Sequence, residues 1–277
     1  MWPPGRRVGG ELLLKEGDDV FDVAGYLRRI NHDDKVEINI DTLRRLHRKH
    51  LMAIPYSSLA YDVADGVDVV DLDDDSLFER SIVEGRGGAC YHLNRLFHRL
   101  LRELGYDVTL LAGSTTEGRA AFRTDVEHMF GRVALDGDDW LVDVGYPGPI
   151  YLEPLRACGT VQAQYGSQFR LVDSASEIAL QRRGVATRWG VVYTFTMQPR
   201  QWSDWKELED NLRTILSDPG RDDSREVLCG RAVDNGHVFM RQRRYLTVRS
   251  GREQVRTITD DDEHRMLLSR ILSGDLG

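Results

Sequence analysis

Midway along this chain the apolar pattern changes period from 3.6 residues to 2, and no other feature so limits the folds open to it. The N-terminal part has the helical period. FDVAGYLRRI (21–30) is amphipathic. DTLRRLHRKHLMAI (41–54) begins at Asp41 as N-cap and stops before Pro55, and DDDSLFERSIVEG (73–85) has acids in its first turn and glycine at its end. From Val108 the segments become short, β-rich and bounded by turn residues: VTLLAGS (108–114), HMFGRVAL (128–135), WLVDVG (140–145), QFRLVD (168–173), IALQRR (178–183) and WGVVYTFT (189–196). Asp136-Gly137-Asp138-Asp139 reads as a four-residue hairpin turn. The last quarter is mixed. REVLCGRAV and HVFMRQRRYLTV flank the turn Asp234-Asn235-Gly236, VRTI follows Ser250-Gly251, and DDDEHRMLLSRIL (260–272) closes as a helix ending at Gly274. The expected class is α+β, with a helical bundle, a small antiparallel barrel or curled sheet, and a mixed C-terminal part.

Where the two periods meet stands GRGGACYHLNRLFHRLLRELGYDV (85–108). After Cys90 the apolar residues Leu93, Leu96, Phe97, Leu100, Leu101 and Leu104 make one helical stripe, and Gly105 ends it. A cysteine in the first turn lies where unpaired backbone N–H groups and the helix dipole favour negative charge, which is the setting of a reactive thiol. The competing reading is a small buried hydrophobe.

Composition narrows the function classes. The formal charge is −8, with 30% charged residues, and Lys and Arg are scattered rather than gathered, so nucleic acid is not an expected partner. RQRR (241–244) alternates inside a strand-like segment and reads as a solvated face. Cys90, Cys158 and Cys229 show no CxxC pairing, the usage of a reducing compartment without disulfides or zinc. Residues 1–19 lack an apolar leader core and no run approaches bilayer length, so the expected location is cytoplasmic, without membrane contact. GSTTEGR (113–119) lacks the ending of a phosphate loop, GxGxxG is absent, and no histidine–carboxylate cluster has metal spacing, so no metal is expected.

A cysteine nucleophile needs a base, and the base needs a group to hold its tautomer. His47, His50 and His98 lie in arginine-rich amphipathic helices and read as surface residues, and His92 faces away from Cys90 around its helix. His32 and His264 fall in polar stretches and His237 at a hairpin turn, whereas His128 opens a strand. Asp143 is the lone charge in the apolar strand WLVDVG, where a structural ion pair with Arg132 is the simplest alternative. Pairing Leu135 with Trp140 places Asp143 opposite Arg132, too far from His128 unless the register shifts or a bulge intervenes.

RGGACYHLNRLFHRLLRELGY resembles the cysteine motif of the arylamine N-acetyltransferase family, and EHMFGRVAL followed by WLVDVGY resembles its histidine and aspartate strands, in the same order and at the same separations. TLRRLHRKHLMAIPY (42–56), LFERSI (77–82) and VVYTFTMQPRQWSDWKELEDN (191–211) extend the resemblance. It implies a three-part α+β fold with a cysteine-protease-like triad: an N-terminal helical bundle with the nucleophile helix (1–105), an antiparallel β-barrel (106–200) and a C-terminal α/β lid (201–277). By motif position it implies Cys90 as nucleophile, His128 as its base and Asp143 as the orienting acid, with Tyr56, Gly145 and Tyr146 as substrate contacts. The activity implied is ping-pong acyl transfer from a thioester to an amine through an acyl-cysteine, without a tightly bound cofactor. The expected donor is acyl-CoA or another pantetheine-linked thioester. On this reading the glycines turn the backbone sharply and leave room for substrate, and Arg86 holds the segment in place.

The chain departs from the family pattern at several points. Pro55-Tyr56-Ser57-Ser58-Leu59 stands where the family carries phenylalanine-glutamate-asparagine, His92 replaces an acidic or amide residue, Pro147 removes a backbone N–H from the loop after Asp143, and NLRTILSDPGRDDSRE (211–226) replaces the segment tied to coenzyme contacts. Two readings therefore stand side by side. One is an arylamine N-acetyltransferase using acetyl-CoA. The other is an amide synthase resembling the actinomycete members that move a long polyketide acyl chain from a carrier-protein thioester to an amine, with an acyl carrier protein as partner. A thiol hydrolase and a non-catalytic scaffold are the alternatives from other classes.

Overall fold

The computed structural model describes residues 21–59, 68–174, 176–216 and 227–276. The readings of residues 1–20 and 217–226 lie outside the described residues. Four helices lie in the N-terminal part: α1 (Val23–Arg29), α2 (Ile40–Ala53), α3 (Asp74–Phe78) and α4 (Cys90–Glu103). The N-cap of α2 is Asn39 rather than Asp41. The Asn39 side chain accepts the Thr42 N–H at 2.8 Å, while Asp41 lies in the first turn and pairs with Arg44. Asp73 caps α3, which is shorter than its acidic start suggests because the chain continues into a π-helical turn over Glu79–Val83. The stripe of α4 is buried as its period requires, with Leu93, Leu96, Phe97, Leu100 and Leu101 packed on Leu43, Leu46, Ile54, Ile82 and Val142.

The strands form two antiparallel sheets. Tyr56–Ser57 is β1. The next eight are β2 (Asp107–Ser114), β3 (His128–Leu135), β4 (Asp138–Val142), β5 (Leu155–Arg156), β6 (Gln162–Gln164), β7 (Ser167–Asp173), β8 (Ile178–Arg183) and β9 (Gly190–Phe195). They make one nearly closed sheet in the order β5-β4-β3-β2-β9-β8-β7-β6, whose core holds Phe130, Leu141, Tyr151, Phe169, Leu180 and Tyr193. The second sheet joins β1 to β10 (Leu228–Val233), β11 (Gly236–Arg241), β12 (Arg244–Arg249) and β13 (Arg252–Thr257). HVFMRQRRYLTV is thus two strands: Gln242, at φ 52°, and Arg243 form the turn between β11 and β12. Helix α5 (Thr116–Phe122) follows β2, α6 (Lys206–Leu216) follows β9, and α7 (Asp261–Ser273), capped by Asp260, covers the second sheet through Leu267 and Ile271. Among the described residues no helix is long and apolar enough to cross a membrane.

Candidate active site

The site is assembled at the end of one β-hairpin. Leu135 pairs with Asp138, Arg132 with Leu141 and Gly131 with Val142, so the connection is a two-residue turn at Asp136 and Gly137, with φ 53° and 82°. This corrects the four-residue turn expected from the sequence. The pairing moves by two positions, which keeps every side chain on its face and carries Asp143 toward His128 without a bulge. Arg132 is left to Asp139, at 3.5 Å. His128 Nε2 lies 2.7 Å from Asp143 Oδ2, and the Cys90 sulfur stands within hydrogen-bonding reach of the same ring. Nε2–H directed at the carboxylate leaves Nδ1 as the nitrogen for the thiol.

Asp143 is fully buried, a placement that costs several kcal/mol unless its oxygens are met. Four donors meet them. Asn94 Nδ2 and the Gly145 N–H donate to Oδ1 at 3.0 and 3.1 Å, while the Tyr193 hydroxyl, at 3.2 Å, joins His128 at Oδ2. Asn94 also donates to the Met129 carbonyl at 2.6 Å and accepts the Val144 N–H at 2.9 Å, tying α4 to both strands of the hairpin. Burial works against charge on His128, but the Asp143 carboxylate and the Cys90 sulfur outweigh it and raise the imidazole to about 10.

Two residues read as exposed are buried beneath this arrangement. His47 accepts the Asp143 N–H at Nε2 (3.0 Å) and donates from Nδ1 to the Leu152 carbonyl (2.9 Å). Burial pushes its pKa down to about 4, so it stays a neutral acceptor. His50, also buried, meets the Tyr26 hydroxyl at 2.8 Å through Nδ1. Helical periodicity carries no sign of this, because both partners of His47 come from a loop far along the chain. His92 turns back on its own helix start and accepts the Ala89 N–H at 3.1 Å.

The glycines serve chain packing. Gly87 has φ 73°, and a Cβ there would stand 1.9 Å from the Pro55 carbonyl oxygen, so the space it leaves is filled by backbone rather than by substrate. Arg29, whose Nε donates to the Ile82 carbonyl at 2.9 Å and whose guanidinium lies against Gly85, holds this segment; Arg86 pairs with Glu84 at the surface. The Ser57 N–H bonds the Gly88 carbonyl at 3.0 Å, which docks β1 beside the approach to Cys90.

In front of Cys90 and His128 opens a cavity of about 980 Å³. Tyr56 and Tyr146 both line it. The Tyr146 ring is edge-on to His128 at 5.5 Å, and its hydroxyl donates to the Val192 carbonyl at 3.2 Å. Gly145 packs on the Cys90 backbone instead, outside the cavity lining. A Cβ there would lie 2.7 Å from Cys90 Cα, and its N–H is committed to Asp143. Among the described residues no group of His, Cys, Asp and Glu side chains is arranged to hold a metal ion.

The N-acetyltransferase family model matches residues 39–275. The chain belongs to the arylamine N-acetyltransferase family. As a member it is an acyltransferase. It is 68% identical over 259 residues to proansamycin X synthase of Amycolatopsis mediterranei, a match covering 94% of this chain and all of that one. With the arylamine N-acetyltransferase of Mycolicibacterium smegmatis it shares 32% identity, over 83% of this chain and 84% of the other. Among solved structures, the arylamine N-acetyltransferase from M. tuberculosis superposes with a TM-score of 0.74 at 26% identity, covering 92% of this chain and 96% of that one. The Mycobacterium marinum arylamine N-acetyltransferase in complex with CoA gives 0.73 at 27% identity, over 92% and 95%. The α+β architecture of helices and curled sheet described above is that of the arylamine N-acetyltransferases.

Proposed function

We propose that this arylamine N-acetyltransferase family member is an amide synthase, which moves a long acyl chain from a pantetheine-linked carrier-protein thioester to an amine through an acyl-Cys90 intermediate. The observation that carries the reading is the cavity. At about 980 Å³ it reaches the upper end of the roughly 300–1,000 Å³ that enclose drug-sized ligands, whereas an acetyl group occupies a small corner of such a space. Full-length similarity to proansamycin X synthase supports the same choice over a simple acetyltransferase.

The chemistry follows from the three side chains. Imidazolium at His128 favours the thiolate at Cys90, whose sulfur attacks the thioester carbonyl. Backbone N–H groups at the start of α4 are the donors for the oxyanion. Collapse breaks the carbon–sulfur bond to pantetheine, and that sulfur leaves with a proton from His128. The amine then attacks the acyl-cysteine, His128 takes the amine proton, and the amide forms as Cys90 is expelled. Exchange between two thioesters is nearly balanced in energy, so the acyl-enzyme can wait for its acceptor. Asp143 fixes the imidazole throughout.

The test compares donors. Amide formation from acetyl-CoA and from a long-chain acyl pantetheine thioester is measured with one aromatic amine, with Cys90→Ala as control. The longer donor is expected to give the higher kcat/KM, and the variant to give no amide from either. A preference for acetyl-CoA contradicts the amide synthase reading and favours the simple acetyltransferase.

A further inference from the structure

Charge is unevenly distributed in this molecule. The chain as a whole carries −8, yet residues 227–257, which hold β10 to β13, contain seven arginines against only Asp234 and Glu253. Three of the seven, Arg241, Arg243 and Arg244, cluster at the turn between β11 and β12, and the structure places that turn at the rim of the active-site cavity. Arg241 lines the cavity and reaches across to Glu117 on α5 at 3.3 Å. Arg244 is directly opposite Arg241 in the strand pair, a juxtaposition of like charges that costs stability. It is exposed, and none of the described ion pairs or hydrogen bonds involves it. Arg243 projects at the turn itself, where it pairs with Asp261. On the same face of the sheet as Arg241 and Arg244, the cross-strand row Phe239, Leu246 and Val255 makes an apolar shelf. It runs from the cavity wall at Phe239 to Val255, which is 53% exposed.

We propose that this arginine turn and its apolar shelf are the docking surface for the acidic carrier protein that delivers the acyl thioester. The inference rests on the amide synthase reading. Arg244, exposed and outside the described ion pairs beside a catalytic cavity in a chain that is otherwise acidic, suits a negatively charged partner. Long-range attraction speeds the encounter and orients the partner, so that its pantetheine arm enters past Arg241 toward Cys90. The shelf supplies the apolar contact that charge alone lacks.

The test uses one acyl group on two donors, an acidic carrier protein and the small N-acetylcysteamine thioester, with wild type and the charge-reversed Arg243→Glu, Arg244→Glu double variant. With the carrier thioester, kcat/KM is expected to fall roughly tenfold or more in the variant and to lose most of its dependence on salt. With the small thioester the two proteins are expected to agree within about twofold, which also shows that the variant is folded. Equal carrier-thioester kinetics in both proteins overturn the docking surface while leaving the amide synthase reading intact. Loss with both donors overturns it as well, because the turn then shapes the cavity rather than receiving a partner. Wild type that acylates Cys90 from neither donor overturns the underlying reading.

Discussion

A carboxylate with no exposed surface must be held from every side, and at Asp143 the backbone is held as well as the side chain. His47 takes the Asp143 N–H while its other nitrogen is anchored on Leu152 and its ring stacks on Tyr151 at 5.6 Å. His47→Phe keeps the stack and leaves that N–H without its acceptor, a loss of about 1–3 kcal/mol. It also loosens the carboxylate that orients His128. The expected result is a fall in kcat of roughly ten- to hundredfold with KM little changed, partly restored in His47→Gln, whose Oε1 can accept the same bond. Steady-state kinetics on the three proteins decide it, and an unaltered kcat in His47→Phe removes His47 from the account. The triad proposed above, Cys90, His128 and Asp143, rests on motif and order in the sequence. His47, Asn94 and Tyr193 are not legible there, because their contacts join α2, α4 and β9 to a hairpin whose register the sequence misplaces by two positions.

At the scale of elements, periodicity suffices for several elements that bury one face. The α4 stripe, the full extents of β3 and β8 and the acidic start and glycine end of α7 all follow from local pattern. What pattern missed were elements without a period long enough to read, such as the two residues of β5 and the three of β6, and helices α5 and α6 within polar stretches. RQRR reads as continuous strand because alternation survives a tight turn, although Gln242 at φ 52° breaks it. Asn39 takes the α2 cap in place of Asp41 because it is an equally good capping residue standing two positions earlier. The glycines before α4 carry the element-scale prediction. Gly87→Ala places a Cβ 1.9 Å from the Pro55 carbonyl at a left-handed φ of 73°. Because the obstacle is backbone, the loop must move, and a loss of more than about 1 kcal/mol in unfolding free energy is expected. Denaturant titration showing wild-type stability contradicts that packing role.

The whole molecule carries two opposite responses to pH. Burial pushes His47 down to about 4 and His50, His92 and His237 to about 3, from an ordinary value of 6.5. Unfolded, these imidazoles bind protons below 6.5 that the folded protein refuses, so each subtracts about 1.4 kcal/mol of stability per pH unit as pH falls from there toward its folded value. His128 runs the other way. Raised to about 10, it contributes stability that is fully present below 6.5 and is lost as pH rises through about 10. Thermal melts are therefore expected to show Tm falling steadily from pH 6.5 to 4, and a flat Tm across that window contradicts the buried neutral histidines. The helices, the curled sheet and the arginine-bearing sheet meet around one cavity, and the central claim is that a single sulfur on its wall carries the acyl group between two substrates. Intact-mass and peptide-mapping analysis of the protein mixed with a long-chain acyl thioester in the absence of amine tests this most directly. One acyl group on Cys90, discharged as amide when amine is added and not formed in His128→Gln, is the predicted result; an unmodified Cys90, or an adduct on Cys158 or Cys229 instead, contradicts it.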